Sequence, residues 1–285
     1  MPTGHTRSAA MTPIVFTDLD GSLLDQETYS WEPARPALER LERHQIPWIL
    51  VTSKTRAEVE LWRRLLGNMH PFVVENGGAI YVPRGYFPMS IPGAIPRDGY
   101  EVVEWGTPYE DLIAGLEAAS RTSGCRLVGF HQMTAEEVAS ASDLPVEQAR
   151  LAKQREYDEP FHIVDHEVTC QLLAAISALG LRWTRGGRFY HVCGNNDKSC
   201  AVNLLRDLFE RAHRKVVTIA LGDGLNDAPL LNSVDIPIIV RSPSAAALKL
   251  RVPRGLLTER QGPEGWNEAL LGIFRDLETA SACEG

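Results

Sequence analysis

The sequence predicts an α/β protein: a parallel-sheet core domain split by an inserted, smaller α+β domain. Three observations carry this expectation. Short apolar runs ending in polar turns alternate with helix-period segments from residue 13 to residue 74, the order of parallel βαβ units. The alternation stops at Glu75-Asn76-Gly77-Gly78, a hairpin signal followed by a proline- and glycine-rich stretch over 84–99. It resumes at Asp197 with a helix, a strand and an acidic, glycine-containing turn, so the first domain is interrupted.

Taken in order, Pro13–Thr17 reads as a buried strand ending at Asp18-Leu19-Asp20-Gly21. A helix follows with Ala34, Leu38, Leu41 and Gln45 on one face, then a second strand over Pro47–Val51. Thr55 and Glu58 have capping-box spacing, Val59, Trp62, Leu65 and Leu66 form an apolar stripe, and Gly67 stands at the C-cap of that helix. Phe72–Val74 is the third strand. The inserted domain is expected over 84–192, with strands at Tyr100–Trp105 and Arg126–Phe130, a helix opened by Thr107-Pro108, and a polar helical stretch to about Tyr157. A helix with Val168, Leu172, Ile176 and Leu179 inward and a Gly186-Gly187 hairpin complete it, helices lying on one face of an antiparallel sheet. The core returns over 193–285 with a helix carrying Ala201, Leu205, Leu208 and Ala212, the strand Val216–Leu221, a last strand Ile236–Val240, and a helix through Trp266, Leu270, Ile273 and Leu277. Trp48 and Trp62 fall in core patterns.

A chain of 285 residues with 44% hydrophobic and 23% charged residues is long enough for two packed domains, and disordered or collagen-like classes are excluded. The net charge of -8 repels polyanions, which argues against nucleic-acid binding and for a metabolite partner. Five scattered cysteines without a Cys-x-x-Cys pair fit a reducing compartment. Residues 1–11 lack a signal peptide's apolar run and no segment reaches the length of a membrane span, so a loose tail and a soluble, cytoplasmic protein are expected.

Ligands of open parallel sheets sit at the carboxyl ends of the strands, and two such ends carry acid pairs, Asp18/Asp20 and Asp223/Asp227. Each acid alone is an ordinary turn residue; together they require a hard cation, and oxygen-only ligands suit Mg2+. Asp-x-Asp after a strand has a chemical reading, with Asp18 as nucleophile at phosphorus and Asp20 as acid/base for the leaving alcohol and then for water. Thr52 and Ser53, ending the second strand near a helix N-terminus, and Lys198, a cation opening a helix where the dipole disfavours it, are expected around the phosphoryl group.

Asp18-Leu19-Asp20-Gly21, Thr52-Ser53, Lys198 and Gly222-Asp223-Gly224-Leu225-Asn226-Asp227 resemble the four ordered motifs of the haloacid dehalogenase superfamily, and the insertion after the third strand resembles its type C2 cap. That resemblance implies a Rossmann-like core and Mg2+ held by Asp18, the backbone carbonyl of Asp20, and Asp223, with Asn226 and Asp227 in support. Val51–Arg56, Glu75–Ile80, Arg155–Phe161, Gly187–His191 and Gly262–Asn267 further resemble the mannosyl-3-phosphoglycerate phosphatase family over nearly the whole chain. The chain departs from that pattern at Ser199, where glycine is common, and in the tail before Ile14.

The core motifs touch only phosphate and metal, so the cap is expected to read the substrate, a small phosphorylated sugar acid. A carboxylate and sugar hydroxyls call for Arg and for His, Gln or Thr; the candidates are Arg155, Arg188, Arg185, His131, Gln132, Thr134 and His191, with Glu156 and Glu159 orienting the arginines. Arg185 and Arg188 also read as exposed hairpin charges, and Thr134 with Glu137 as a plain capping box. Glucosyl-3-phosphoglycerate, sucrose phosphate or a hexose phosphate remain alternative substrates, and a phosphomutase or a non-catalytic sugar-phosphate sensor alternative functions.

Overall fold

The computed structural model describes residues 11–186, 188–213 and 215–283, with side chains to residue 275. The tail expected over 1–11 lies outside the described residues apart from Met11, as do Gly187 of the expected hairpin and the side chain of Leu277.

The first half of the core forms as its periodicity dictates: β1 (Thr12–Thr17), α1 (Arg35–Arg43), β2 (Trp48–Val51), α2 (Arg56–Leu66) and β3 (Phe72–Val74). Thr55 and Glu58 make the reciprocal capping box at the start of α2, and Gly67 ends it in the left-handed conformation at φ 68°. The hairpin at Glu75–Gly78 leads to β4 (Ala79–Pro83), antiparallel to β3, and the chain continues through β5 (Ile95–Arg97) and β6 (Tyr100–Glu104). Next come α3 (Tyr109–Ser123), β7 (Leu127–Gly129), α4 (Ala135–Ser142), α5 (Val146–Ala152), β8 (Asp158–Ile163), α6 (Thr169–Ala178), β9 (Arg182–Arg185) and β10 (Tyr190–Cys193). The return to the core comprises α7 (Lys198–His213), β11 (Val216–Gly222), α8 (Ala228–Asn232), β12 (Ile236–Arg241), α9 (Ala245–Arg251), β13 (Leu256–Gln261) and α10 (Gly262–Cys283).

The large sheet has the order β13-β12-β11-β1-β2-β3-β4-β6-β5, parallel from β13 to β3 and antiparallel beyond. Both faces of the parallel part are covered. Val15, Leu50 and Leu221 pack with Leu38 and Leu41 of α1, Val59 and Trp62 of α2, and Trp266 and Leu270 of α10. Ile14, Phe16, Ile49 and Ala220 pack with Ala201, Leu205 and Leu208 of α7 and Leu248 of α9. From β1 the chain moves outward to β2 and β3, and on return places β11 on the other side of β1. The β1/β11 pair is therefore the topological switch point, where the strand ends open a crevice.

A second sheet, β7-β8-β10-β9, is wholly antiparallel. Leu116 and Ala119 of α3 and Leu172 and Ile176 of α6 pack on Phe161, Ile163 and Val192, while α4 and α5 enclose a separate cluster around Phe130 and Phe189.

Three features differ from expectation. The strand at Tyr100–Glu104 pairs with β4 in the large sheet, so the boundary expected after residue 83 divides strands that one sheet keeps together. Asp158–Ile163, unassigned from sequence, is a central strand of the small sheet, because the partners of its buried charges lie in other elements. Ile236–Arg241 is not the last strand: β13 follows on the sheet edge with Leu256 and Leu257 exposed, which hides the pattern of burial. No described helix is long and apolar enough to cross a membrane.

Candidate active site

β1 delivers Asp18 and β11 delivers Asp223 to the same end of the switch point, with the backbone N–H of Asp18 donating to the Leu221 carbonyl at 2.9 Å. The turn after Asp18 needs glycine: Gly21 has φ 76°, and a Cβ there would stand 2.6 Å from Asp223 Oδ2. Behind it, Trp266 Nε1 donates to Thr17 Oγ1 at 2.8 Å and Thr17 Oγ1 donates to the Asp18 carbonyl at 2.7 Å, so the C-terminal helix braces the start of the turn.

Carboxylate oxygens of Asp18, Asp223 and Asp227 lie within 4.8 Å of one another. Lys198, fully buried, donates from Nζ to Asp18 Oδ1 at 2.7 Å and to Asp227 Oδ1 at 2.6 Å. Asp227 Oδ2 accepts the backbone N–H groups of Asp223 and Gly224 at 3.0 and 2.9 Å, so both its oxygens are committed. Burial, and then the field of Asp227, push the Asp18 carboxyl up to about 7 despite Lys198; burial, and then the fields of Asp227 and Asp18, push Asp223 well above the carboxylate range. Burial alone would discharge Lys198, but the two carboxylates outweigh it and hold the ammonium charged. The cluster thus carries more negative charge than its one lysine balances. Asp20 stands apart from it, with Oδ2 3.0 Å from Lys54 Nζ and a buried Oδ1 that has no hydrogen-bond partner among the described residues.

Ser53 lines the cleft with Asp18, Asp20, Asp223 and Asn226. Thr52 is buried behind it: its Oγ1 accepts the Lys54 backbone N–H at 3.2 Å and its carbonyl that of Asn76 at 2.9 Å. From the smaller sheet and its approach, Arg155, Arg185, Arg188 and His191 line the same cleft. Arg155 is buried, with Nη1 2.7 Å from the Ser53 carbonyl and 3.4 Å from Asp158 Oδ1. Arg188 pairs with Asp143 at 2.5 Å, and Arg185 lies over the Tyr190 ring.

The other three candidates from the inserted region are not cleft residues. His131 donates or accepts at Glu159 Oε1 through Nδ1 at 2.7 Å, Gln132 Oε1 accepts the Gly129 N–H, and Thr134 caps α4 in the capping box with Glu137. Glu156 and Glu159 do not orient the arginines of the cleft: Glu156 pairs with Arg97, and Glu159 is taken by His131 and by the Tyr109 hydroxyl.

Sequence reasoning missed Lys54, Glu58 and Tyr29 in the cleft. Lys54 directly follows Ser53 at a strand end, a legible signal; Glu58, which accepts from Lys54 Nζ at 3.4 Å, was concealed by its role in the capping box.

The turn Glu75-Asn76-Gly77 has φ of 47°, 54° and 90°, left-handed throughout. Two successive non-glycine residues in that conformation, Glu75 and Asn76, are costly unless neighbours enforce it. Glu75 accepts the backbone N–H groups of Glu156 and Tyr157, fastening the approach to β8 onto the end of β3. Burial raises its carboxyl to about 8, against the smaller opposing effect of Arg155. The folded chain therefore holds this proton more tightly than the unfolded chain, and the associated stability, complete below the ordinary glutamate range, is lost as pH rises through about 8. Glu75→Gln is expected to flatten that fall, by at most about 1.4 kcal/mol per pH unit, in urea unfolding between pH 6 and pH 9. An unchanged slope would contradict it.

No family model matches the chain. Over 270 residues, 93% of this chain and 98% of the relative, it is 42% identical to a glucosyl-3-phosphoglycerate/mannosyl-3-phosphoglycerate phosphatase of Methanococcoides burtonii. It is 38% identical to the mannosyl-3-phosphoglycerate phosphatase of Pyrococcus furiosus over 81% of this chain and 91% of that one. Among solved structures, a phosphatase of the haloalkanoate (HAD) enzyme superfamily from Bacteroides thetaiotaomicron superposes with a TM-score of 0.64 at 19% identity, covering 95% of this chain and 98% of its own, a likeness of fold.

Proposed function

The chain belongs to the mannosyl-3-phosphoglycerate phosphatase family of the haloacid dehalogenase superfamily and is a phosphatase; from that premise we propose that it hydrolyses mannosyl-3-phosphoglycerate to mannosylglycerate and phosphate through an aspartyl-phosphate on Asp18. One observation carries the reading: Asp18 and Asp20 face the same cleft as Arg155, Arg185, Arg188 and His191. Chemistry and recognition then share one space. We further propose that the unit built on the small sheet is a cap that excludes water from that space.

A carboxylate oxygen of Asp18 attacks phosphorus while the bond to the glycerate oxygen breaks, and Asp20, protonated, gives that oxygen its proton. Asp20, now ionised, takes a proton from the water whose oxygen attacks phosphorus, and Asp18 leaves as the carboxylate. The buried Oδ1 of Asp20, without a hydrogen-bond partner among the described residues, suits this proton transfer. Lys198 screens the Asp18 charge as the phosphate approaches, and Ser53 supplies a hydroxyl beside it. Arg155, Arg185 and Arg188 provide the positive charge that a glycerate carboxylate requires.

The donor set fits a hard divalent cation, since three clustered carboxylates share only one buried ammonium. Asp18, Asp223 and the Asp20 carbonyl would hold Mg2+; Asp227, with both oxygens committed, and Asn226 would support them. Bound there, the ion neutralises charge on the phosphoryl oxygens. Chelation is expected to lower phosphate release by at least about 100-fold, with full recovery on adding Mg2+. Activity that survives chelation would remove the metal from the account.

The double name of the Methanococcoides relative favours a second reading, in which the glucosyl compound is hydrolysed as well. Phosphate release measured as kcat/KM on mannosyl- and glucosyl-3-phosphoglycerate decides between them by the ratio of the two, and 3-phosphoglycerate, sucrose 6-phosphate and mannose 6-phosphate in the same panel test the assignment as a whole. A preference of about 100-fold, ~2.7 kcal/mol, for the glycosyl-3-phosphoglycerates over the other esters is expected. A flat profile would overturn the substrate assignment.

A further inference from the structure

Asp158, the first residue of β8, is fully buried and does not line the cleft, yet two residues that do are bound to it. Its Oδ1 meets His191 Nδ1 at 2.7 Å and Arg155 Nη1 at 3.4 Å. Its Oδ2 accepts from Asn76 Nδ2 at 2.9 Å, and Asn76 belongs to the turn that closes β3 of the large sheet. Asn76 Oδ1 in turn accepts from Asn226 Nδ2 at 3.3 Å, next to Asp227. One buried carboxylate thus connects Arg155 and His191 of the cleft, through Asn76 and Asn226, to the turn that carries Asp223 and Asp227.

The chemistry of the pair fixes the imidazole. Burial pushes Asp158 up, but the donors from His191, Arg155 and Asn76 outweigh it and keep the carboxyl below its ordinary range, hence ionised. An ionised carboxylate only accepts, so His191 Nδ1 carries a proton and Nε2 is the atom left for other partners. Nε2 lies toward Gly186, also of the cleft, where an added Cβ would stand 3.2 Å away. Asn76 is held at φ 54°, a conformation that needs support from its side-chain partners.

We propose that Asp158 is a positioning residue for substrate selection: it presents His191 Nε2 to the glycosyl-glycerate part of the substrate beside Arg155, which the Ser53 carbonyl also holds at 2.7 Å, and ties the imidazole to the core through Asn76 and Asn226. This rests on the proposed phosphatase reading. A small ester such as p-nitrophenyl phosphate reaches the acidic cluster without these groups, whereas a glycosyl-3-phosphoglycerate uses them. Removing Asp158 therefore acts on discrimination between the two.

The test compares wild type with D158N, H191Q and D158N/H191Q, all with Mg2+, on the preferred glycosyl-3-phosphoglycerate and on p-nitrophenyl phosphate. D158N is expected to lower the ratio of the two kcat/KM values at least tenfold, chiefly through KM of the sugar substrate. The double variant is expected within about twofold of the worse single, as residues acting as a unit require. An unchanged ratio, whether both activities persist or fall together, would overturn the proposal, as would additive losses. Should D158N fail to fold, N76G removes the same bridge while easing the strained backbone; it must lower the ratio too, and a normal ratio overturns the proposal. Wild type that hydrolyses only p-nitrophenyl phosphate would instead overturn the substrate reading, and this inference with it.

Discussion

Asp18→Asn is expected to lower kcat for phosphate release by at least about 10⁴-fold, ~5.5 kcal/mol, without loss of the fold. The amide retains an oxygen that can accept from Lys198 Nζ, now 2.7 Å from Asp18 Oδ1, but it cannot act as the nucleophile. The same change removes one charge from a crowded acidic cluster in which burial and Asp227 already push Asp18 up to about 7. Thermal stability in the absence of metal is therefore expected to be unchanged or higher. Steady-state kinetics with a melting curve on the same sample check both parts. Activity within tenfold of wild type would contradict covalent catalysis by this residue.

Lys198→Met is expected to be nearly as damaging to turnover, about 10³-fold, and far more damaging to stability. Lys198 is fully buried and is the shared donor of Asp18 and Asp227. Methionine fills much of the volume but leaves two buried carboxylates without their cation, a change that typically costs about 3–5 kcal/mol. The cause can be separated from loss of packing by a double-mutant cycle. Asp18→Asn in the Lys198→Met background removes one orphaned charge and is expected to restore part of the stability, though none of the activity. Strict additivity in chemical denaturation would show that the charges are not coupled.

The acidic cluster of Asp18, Asp223 and Asp227 was legible because a parallel sheet puts its polar groups at strand ends, and these residues follow apolar runs that read as buried strands; Asp20, read from the same pattern as a fourth member, is drawn aside by Lys54. Lys198 was legible as a cation at the wrong end of a helix. The small sheet was less so. Asp158, Glu159 and Pro160 are poor strand formers, and β8 holds them because Asn76, His131, Tyr109 and His191, distant in sequence, satisfy the buried carboxylates. Local pattern carries no trace of such partners. The same reason misdirected His131, chosen for its chemistry, whose ring is occupied by Glu159, while His191 and the arginines at 155, 185 and 188 do reach the cleft. Tyr100–Glu104 was recognisable as a strand, but which sheet it joins depends on β4, and pairing across a loop is not written in either segment.

The central claim, that Asp18 becomes phosphorylated during turnover, is tested most directly by quenching the enzyme in acid during hydrolysis of mannosyl-3-phosphoglycerate with Mg2+, reducing with borohydride and sequencing the peptide around residue 18 by mass spectrometry. An acyl-phosphate there is reduced to the alcohol, so homoserine at position 18, appearing only with substrate, is the expected result. Unaltered Asp18 in samples quenched throughout a pre-steady-state burst of alcohol product would contradict the account.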